Sequence, residues 1–293
     1  MQRRRLFYGL FFVSPWIIGF LWFTLYPMGA SLYYSFTDYN LIKTPQWIGA
    51  ANFRELLGDE LFWTSLYNTF YLTVVGLPVT TIFSVGLAVL LNQKIRGLAF
   101  YRTIYYVPSV VPIVATSIVW MWLLNPAYGP INTFLGWLGI SGPNWLRDMV
   151  WAKPALILTG LWGVGPSVII YLAALQEVPQ QLLEAAELDG AGAWQKLFRI
   201  TLPMISPAVF FNVIMGVIGS FQIFAQPLIM TNGGPANATL VYALYLFRNA
   251  FSYFKMGYAS ALAWVLFGII LLCTVLIFKT SARWVYYETG GNR

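Results

Sequence analysis

Six long runs without a charged residue dominate this sequence and limit what it can fold into. Each run is long enough to cross the hydrocarbon core of a bilayer as a helix, which takes about 20 mostly apolar residues. The runs cover residues 6–36, 61–91, 104–124, 154–175, 203–230 and 256–278. They predict an all-α, polytopic membrane protein with six transmembrane helices, in which residues 1–293 form a single transmembrane domain.

The overall composition agrees with a membrane protein. Hydrophobic residues make up 59% of the chain and charged residues 9%, whereas charged residues are about 25% of a typical soluble domain. Most of this chain therefore cannot face water, and membrane lipid is a predicted partner.

The N-terminus opens with Arg3, Arg4 and Arg5 before the first apolar run, as many signal peptides do. A signal peptide has an apolar region of roughly 7 to 15 residues followed by a cleavage site with small residues. The run over residues 6–36 is much longer, and no such site follows it. We therefore expect a retained first membrane helix.

Several prolines occur inside the runs, among them Pro27, Pro78, Pro112 and Pro166. A proline breaks a water-exposed helix, but a membrane helix tolerates it because neighbouring helices satisfy the freed carbonyl groups. We therefore expect each proline to kink its helix without ending it.

The basic residues between the runs predict the orientation. With six spans both termini lie on one side, and that side carries 11 of the 17 lysines and arginines. These are Arg3, Arg4, Arg5, Lys94, Arg96, Arg102, Lys196, Arg199, Lys279, Arg283 and Arg293. Because cytoplasmic loops are enriched in basic residues, both termini are predicted to be cytoplasmic, in the inner (plasma) membrane of a prokaryote.

The residues that the chain lacks restrict its chemistry. It has no histidine and one cysteine, Cys273, so we expect no internal disulfide, no metal site and no imidazole catalysis. The basic residues are scattered singly and form no patch, so we expect no nucleic-acid partner. We predict no catalytic residue and no cofactor in this chain.

The source of energy is also constrained. Ion-coupled carriers usually place ionisable residues inside the bilayer, and none of the six runs contains one. The phosphate-binding pattern GxxxxGK[ST] is absent as well. A separate ATPase accounts for both absences. An ion-coupled secondary transporter and a membrane scaffold or receptor without transport activity remain as alternatives.

Residues 176–203, between the fourth and fifth runs on the predicted cytoplasmic side, have the pattern of a helix, a break and a second helix. Pro179 suits a first turn, and Asp189 with Gly190 ends the first helix. We expect Asp189 to cap the second helix. The apolar side chains offered to a groove in another protein are Leu182, Ala185, Ala186, Leu197 and Phe198.

Within this segment, EAAELDGAGAWQKLFRITLP resembles the EAA loop of the permease subunits of ABC importers, with Glu-Ala-Ala, Asp-Gly-Ala and Ile-x-Leu-Pro at the family's spacing. The resemblance implies the type I ABC importer permease fold and a loop that docks into a cleft of an ATPase subunit. The coupling residues that it implies are Glu184, Ala185, Ala186, Asp189, Gly190, Ala191, Phe198, Ile200, Leu202 and Pro203.

The same resemblance implies the partners. They are a second permease subunit, two ATP-binding subunits that hold ATP and magnesium, and an extracytoplasmic sugar-binding protein. This chain would then be a transport subunit and not an enzyme.

Further segments resemble the carbohydrate-uptake branch of these permeases, which includes the larger maltose-importer permease and the glycerol-phosphate importer permease. They include Ser35 to Tyr39, Asn52-Phe53, Asn125-Pro126, Thr231 to Pro235 and Met256 to Ala261. The short loop from Thr37 to Glu60 departs from the maltose subunit, which has a large outer insertion. The resemblance implies a di- or oligosaccharide, with glycerol-3-phosphate or another small polar solute as the alternative.

Alignment with the sugar site of the maltose subunit carries over eight positions, and Gln222 and Gln226 are added because their spacing of four predicts one helical face. The candidate pathway residues are Ser109, Trp162, Gly163, Pro166, Gly216, Gly219, Ser220, Gln222, Ile223 and Gln226. Trp162 would stack on a sugar ring and Ser220 would bind a hydroxyl. Alternatively, the small residues only let helices pack closely, and the site lies mainly in the partner permease.

Overall fold

The computed structural model describes residues 2–93 and 96–286, with side chains from Gly9 onward. Helices dominate this part of the chain. The first seven are α1 (Gln2–Phe20, continued through Leu21–Leu25 to Tyr26–Ser35), α2 (Ala51–Gly58), α3 (Glu60–Tyr71, continued through Leu72–Gly76 to Leu77–Leu91), α4 (Leu98–Val110), α5 (Ile113–Leu123), α6 (Pro130–Trp137) and α7 (Ala152–Gly160, with the 3₁₀ turn Leu161–Gly163).

The remaining helices follow in the same order. They are α8 (Gly165–Gln176), α9 (Gln180–Leu188), α10 (Ala193–Lys196, continued through Leu197–Thr201 to Leu202–Met204), α11 (Ser206–Phe221), α12 (Ala225–Met230), α13 (Tyr242–Phe247, continued to Arg248–Ser252) and α14 (Met256–Ser281). Two short strands, β1 (Thr37–Asp38) and β2 (Gln46–Trp47), pair antiparallel. The all-α prediction therefore holds apart from this one small ribbon.

Three helices are continuous and apolar over a length that can cross a membrane: α1 from Gly9 to Ser35, α3 and α14. Three further pairs reach that length only together, because each is bent at a short break. The bend is 103° between α4 and α5, 54° between α7 and α8, and 65° between α10 and α11. The described residues thus hold between three and six candidate spans.

Prolines act in two different ways in these helices. Pro27 and Pro78 lie in continuous helices, and each lies two residues after the end of a π turn, Leu21–Leu25 or Leu72–Gly76. A proline cannot donate to the carbonyl four residues before it and clashes with that group, and a wider turn relieves both problems. The prediction that these two prolines do not end their helices is confirmed.

At Pro112 and Pro166 the same prediction is wrong. Val111 and Pro112 have extended backbone conformations, so α4 ends at Val110 and α5 begins at Ile113. Proline disfavours the helical conformation in the residue before it. Ahead of Pro166, α7 ends at Gly163 and α8 starts at Gly165.

The fifth apolar run, residues 203–230, is not one helix. α11 ends at Phe221, and Phe224 leaves the helical region with φ −140° and ψ −59°. A separate helix, α12, then begins at Ala225.

The chain divides into two compact units, of which the first comprises the residues up to Phe62 together with Tyr245–Gly268. Within this unit, the side-chain amide of Asn52 donates hydrogen bonds to the carbonyls of Ser35 (2.9 Å) and Thr37 (3.0 Å). The backbone N–H of Gly257 donates to the carbonyl of Tyr39 at 3.0 Å. A Cβ at Gly257 would collide with the carbonyl of Thr37. Close backbone packing therefore requires a glycine at position 257.

The second unit comprises Trp63–Leu244 and the residues from Ile269 onward. Its core lies where α3 meets α8, and Leu87, Tyr171 and Leu172 are buried there. The segment around residues 231–240 is held by Asn68, whose amide donates to the carbonyls of Asn237 (2.8 Å) and Leu240 (2.9 Å). These contacts fix a loop that is rich in turn residues against α3.

Candidate functional site

A cavity of about 500 Å³ lies between α3, α7, α8 and α11. Five of the predicted pathway residues line it, namely Gly163, Gly216, Gly219, Ser220 and Ile223. The helices approach closely at Gly216, where a Cβ would collide with Leu77, whereas a Cβ at Gly219 would meet nothing within 4 Å. The two glycines therefore differ: a Cβ at Gly216 would displace the end of the Leu77 side chain, whereas a Cβ at Gly219 would enter open cavity space.

Two smaller cavities adjoin the first. One of about 420 Å³ is lined by Ser109, Trp162, Gly163, Pro166 and Gln226. The other, of about 140 Å³, is lined by Ser220, Ile223 and Gln226. Gly160 lines all three. We call these three spaces the central cavities, and nine of the ten predicted pathway residues line them.

Gln222 is the exception, and the prediction that it shares a helical face with Gln226 is wrong. Gln222 follows the last residue of α11 and is exposed, whereas Gln226 lies in α12 and is buried. Gln226 donates from Nε2 to Oγ1 of Thr159. The spacing of four residues predicts one face only within a single helix, and here the helix ends between them.

The indole of Trp162 is held by a second tryptophan. The rings of Trp120 and Trp162 meet edge to face, with centroids 5.6 Å apart and planes at 82°. Such pairs stabilise a fold by about 0.5–1.5 kcal/mol beyond the contribution of the apolar area that they bury. Trp120, which the sequence reasoning did not select, therefore orients the ring predicted to stack on a sugar.

The hydroxyl groups around the central cavities act as acceptors. Ser109 donates its proton to the carbonyl of Tyr106 and Ser220 donates to that of Gly216, both at 2.7 Å. Ser84 donates its proton to the carbonyl of Thr80 at 2.6 Å. Because a serine has one proton and two lone pairs, these oxygens remain free to accept from the hydroxyl groups of a solute.

Sequence reasoning missed several polar residues of the largest central cavity: Thr80, Thr81, Ser84, Ser167 and Asn212. These residues are uncharged, so the absence of charge that defines the apolar runs does not distinguish them. The spacing of Thr80 and Ser84, one helical turn apart in an otherwise apolar run, was the available signal. No described residue that lines the central cavities carries a charge.

The predicted docking segment forms a helix, a tight reversal and a second helix, as expected. α9 ends in a Schellman motif, in which the N–H of Gly190 donates to the carbonyl of Glu187 (3.0 Å) and that of Ala191 to Ala186 (2.8 Å). Gly190 has φ +82°, a conformation that favours glycine. The motif thus needs its glycine for the backbone alone.

The second helix of this segment is not capped by Asp189, so that prediction is wrong. Asp189 terminates α9, and Gly192 occupies the N-cap of α10, where its N–H donates to Oε1 of Gln195 at 2.9 Å. An ion pair between Lys196 and Glu187, 3.0 Å apart, joins the two helices. The hairpin is therefore held by one exposed salt bridge and by its turn geometry.

The hairpin exposes a set of large apolar side chains. Leu188 is 90% exposed, Trp194 74% and Phe198 60%. The rings of Trp194 and Phe198 stack with centroids 5.9 Å apart. Glu184 and Asp189 are exposed beside them, and Ile200, Leu202 and Pro203 are half-buried at the base. Trp194 was not among the predicted residues, although a tryptophan in a predicted docking loop is a signal for a contact surface.

A further cavity, of about 770 Å³, lies in the second unit and is separate from the central cavities. It brings together two segments selected from the sequence, Asn125-Pro126 and Thr231 to Pro235, with Tyr128, Asn144 and Arg147. The tertiary fold therefore joins two motifs that are more than one hundred residues apart in the chain.

Comparison with known proteins agrees with these features. Residues 80–286 match the family described as binding-protein-dependent transport system inner membrane component. The chain is 46% identical over 286 residues to the probable ABC transporter permease protein YesP of Bacillus subtilis, covering 96% of this chain and 92% of the relative. It is 34% identical over 278 residues to the lactose transport system permease protein LacF of Rhizobium radiobacter, covering 92% and 91%.

Among solved structures, the fold matches a chain of a bacterial alginate ABC transporter, crystallised in complex with an alginate pentasaccharide-bound periplasmic protein. The TM-score is 0.84 at 26% identity, and the match covers 96% of both chains. The predicted resemblance to ABC importer permeases is thus confirmed. Since this family consists of transport subunits, the prediction of a transport subunit and not an enzyme is confirmed with it. The chain belongs to the family of binding-protein-dependent transport system inner membrane components, the membrane-embedded permease subunits of ABC importers.

Proposed function

We propose that this chain forms half of the translocation pathway of an ATP-driven importer for a neutral di- or oligosaccharide. The observation that carries the proposal is the set of central cavities, whose described lining combines serine and threonine oxygens, an asparagine, a glutamine and an oriented tryptophan without any charge. Small-molecule sites of this kind pair mostly apolar walls with a few polar groups. Hydroxyl donors of a sugar match oxygen acceptors, and its ring faces match an indole.

The relatives support a carbohydrate. LacF is named for lactose, and the transporter with the matching fold imports the acidic polysaccharide alginate. A glycerol-3-phosphate importer is the alternative. An anionic phosphate favours arginine or lysine partners, so the uncharged described lining of the central cavities favours a neutral sugar.

The remaining parts of the importer are proposed from the family. They are a second permease subunit, two ATP-binding subunits that carry ATP and magnesium, and an extracytoplasmic sugar-binding protein. In this arrangement each bent helix pair counts as one span, which gives six spans in one transmembrane domain with both termini in the cytoplasm. Of the basic residues behind that orientation, Lys94 and Arg293 lie outside the described residues.

The hairpin of α9 and α10 would be the docking element for the ATPase. Its exposed Leu188, Trp194 and Phe198 form an apolar knob of the kind that enters a groove. Glu184 lies exposed on α9. Closure of the two ATPases would move this hairpin and thereby open the central cavities to one side of the membrane at a time.

Uptake by the reconstituted transporter tests the transport proposal. The four kinds of subunit are purified and reconstituted in liposomes, and ATP-dependent uptake of labelled neutral disaccharides and of glycerol-3-phosphate is compared. We expect uptake of a sugar that requires ATP and persists with a protonophore. Uptake that ignores ATP but stops with the protonophore would contradict the proposal, and uptake of glycerol-3-phosphate alone would favour the alternative.

Charge reversal tests the docking role. Glu184→Lys is expected to abolish sugar-dependent ATP hydrolysis, because it repels a cationic groove or loses a hydrogen bond there. Asp38→Lys, which reverses another exposed carboxylate, on β1, is the matched control and should hydrolyse ATP normally. Equal activities of the two variants would refute docking through α9.

A further inference from the structure

A fifth cavity, of about 350 Å³, is separate from the central cavities and lies between the end of α3, α4 and α8. Apolar side chains form most of its wall, among them Tyr106, Val168, Ile169 and Leu172. Arg102 is the one charged residue in its described lining. An apolar groove that contains a single guanidinium has the character of an amphipathic site.

Arg102 lacks the acceptors that a guanidinium requires. Its Nε is buried and has no hydrogen-bond partner among the described residues. Its Nη2 makes one long bond, 3.4 Å, to the carbonyl of Leu91. Of the two ion pairs found in residues 2–93 and 96–286, neither includes Arg102. Since a buried guanidinium donor without an acceptor is costly, an acceptor from outside the chain is indicated.

The sequence around Arg102 offers no carboxylate. No aspartate or glutamate occurs between Glu60 and Asp148, and the segment that precedes Arg102 carries Lys94 and Arg96. The charge of this stretch of sequence is therefore purely positive, which favours an anion as the missing acceptor. In the proposed orientation this segment lies at the cytoplasmic leaflet, which is rich in anionic lipid.

The open side of the cavity faces outward from the helices. Ile169 is 49% exposed, and Tyr105 and Tyr106 are exposed beside it. A fully polar anion such as free phosphate would leave this apolar wall uncovered. A lipid would satisfy both parts, because its phosphate suits the planar donor fork of arginine and its acyl chain suits the apolar residues.

We propose that this cavity binds one anionic phospholipid of the inner leaflet. Its phosphate accepts hydrogen bonds from the guanidinium of Arg102, and an acyl chain lies along Val168, Ile169 and Leu172. The lipid would bridge α4 and α8, the helices that carry Ser109 and Pro166 of the central cavities. The content of anionic lipid in the membrane would thereby regulate the transporter.

Native mass spectrometry of the purified complex tests this binding. The complex is released from nanodiscs with equal amounts of phosphatidylglycerol and phosphatidylcholine, and the retained lipids are counted. We expect preferential retention of phosphatidylglycerol. Arg102→Gln should reduce that preference about fivefold, as expected for the loss of one basic contact at an anionic surface. Arg283→Gln, which removes an exposed positive charge outside this cavity, should leave it unchanged.

A second variant separates the lipid from other anions. Ile169→Trp keeps Arg102 but fills the groove, so it should also lower phosphatidylglycerol retention, whereas an excess of inorganic phosphate should not displace the lipid. Unchanged retention in both variants would refute the site. Displacement by inorganic phosphate alone would assign it to a free anion instead. Efficient cross-linking of Arg102→Cys to a second permease would assign the missing acceptor to a subunit, and would equally overturn the lipid.

Discussion

Gln226 and Thr159 form a buried hydrogen bond that links α12 to α7 beside the central cavities. Thr159 donates its own proton to the carbonyl of Leu156 at 2.8 Å, so its oxygen is free to accept from Gln226. The pair fixes the start of α12 after the break in the fifth apolar run. It also holds the amide of Gln226 at the wall of two central cavities.

Removal of this acceptor should destabilise the fold. Thr159→Val retains the shape of the side chain but leaves the N–H of Gln226 buried without a partner, which costs about 1–3 kcal/mol. Thr159→Ser keeps the hydroxyl and serves as the control. The thermal unfolding of both variants in detergent is compared, and we expect a lower midpoint for Thr159→Val only. Equal midpoints would show that the bond contributes little.

Blocking the largest central cavity should stop transport without unfolding the protein. A Cβ at Gly219 would meet nothing within 4 Å, so Gly219→Leu projects into open cavity space. The control is Gly86→Leu, because Gly86 also has free space for a Cβ but lines no central cavity. Uptake in proteoliposomes should fall at least tenfold for Gly219→Leu and stay near the wild-type rate for Gly86→Leu. Normal uptake by Gly219→Leu would remove this cavity from the pathway.

The turn between the docking helices should depend on backbone conformation. Gly190→Ala introduces a Cβ at φ +82°, which costs about 1–2 kcal/mol for an ordinary L-residue. Gly190→Asn should be better tolerated, because asparagine adopts this conformation more readily. We expect sugar-stimulated ATP hydrolysis to decrease in the order Gly, Asn, Ala. Equal loss in both variants would point to a steric requirement imposed by the partner.

Truncation of the exposed indole should weaken the ATPase contact. Trp194→Ala removes the most exposed ring of the hairpin, and buried aromatic anchors of interfaces contribute about 2 kcal/mol or more. A roughly thirtyfold weaker association of the ATPase subunit is expected, measured by titration against the permease in nanodiscs. Trp137→Ala is the matched control, since Trp137 on α6 is 80% exposed. Similar affinities for the two variants would exclude Trp194 from the interface.

Acid stability should depend on Asp59, which accepts hydrogen bonds from Tyr245 and Tyr258. Burial raises the pKa of this carboxyl, but the two phenols and the N–H groups of Leu61 and Phe62 together hold its pKa below 3.8. The folded state therefore favours the carboxylate, and this stabilisation is present above pH 3.8 and lost as pH falls through the lower folded pKa.

The corresponding measurement compares denaturant stability of the wild type and Asp59→Asn between pH 3 and pH 7. The difference in the free energy of unfolding between the two proteins should be constant above about pH 5 and shrink below pH 3.8. Tyr245→Phe removes one hydrogen-bond donor to Asp59. It should therefore move the pH at which the stabilisation is lost toward 3.8. A stability difference that does not change with pH would mean that the charge of Asp59 plays no part.

The sequence by itself determined that this protein is a membrane-embedded permease subunit. Both features that indicate this, the charge-free runs and one 20-residue motif, are local in the chain. Charge-free runs predict membrane helices from composition alone, and the Glu-Ala-Ala to Leu-Pro segment indicates the permease family and a helical hairpin within 20 residues. The turn at Gly190 could be predicted for the same reason, since glycine after a helix reports its own backbone conformation. Nine of the ten candidate pathway residues, selected by their spacing from recognisable motifs, line the central cavities.

Tertiary structure decided what depends on residues far apart in the chain. Whether a proline kinks or ends a helix depends on the packing that supports it, so Pro78 continues α3 while Pro112 separates α4 from α5. The end of α11 at Phe221 placed Gln222 and Gln226 in different surroundings, which no periodic pattern predicts. The uncharged polar lining from Thr80 to Asn212 becomes a site only when three helices meet. Local conformation is encoded by neighbouring residues, whereas a cavity exists only between packed elements. For that reason the helices and turns could be predicted from the sequence, but the complete lining of the cavity could not.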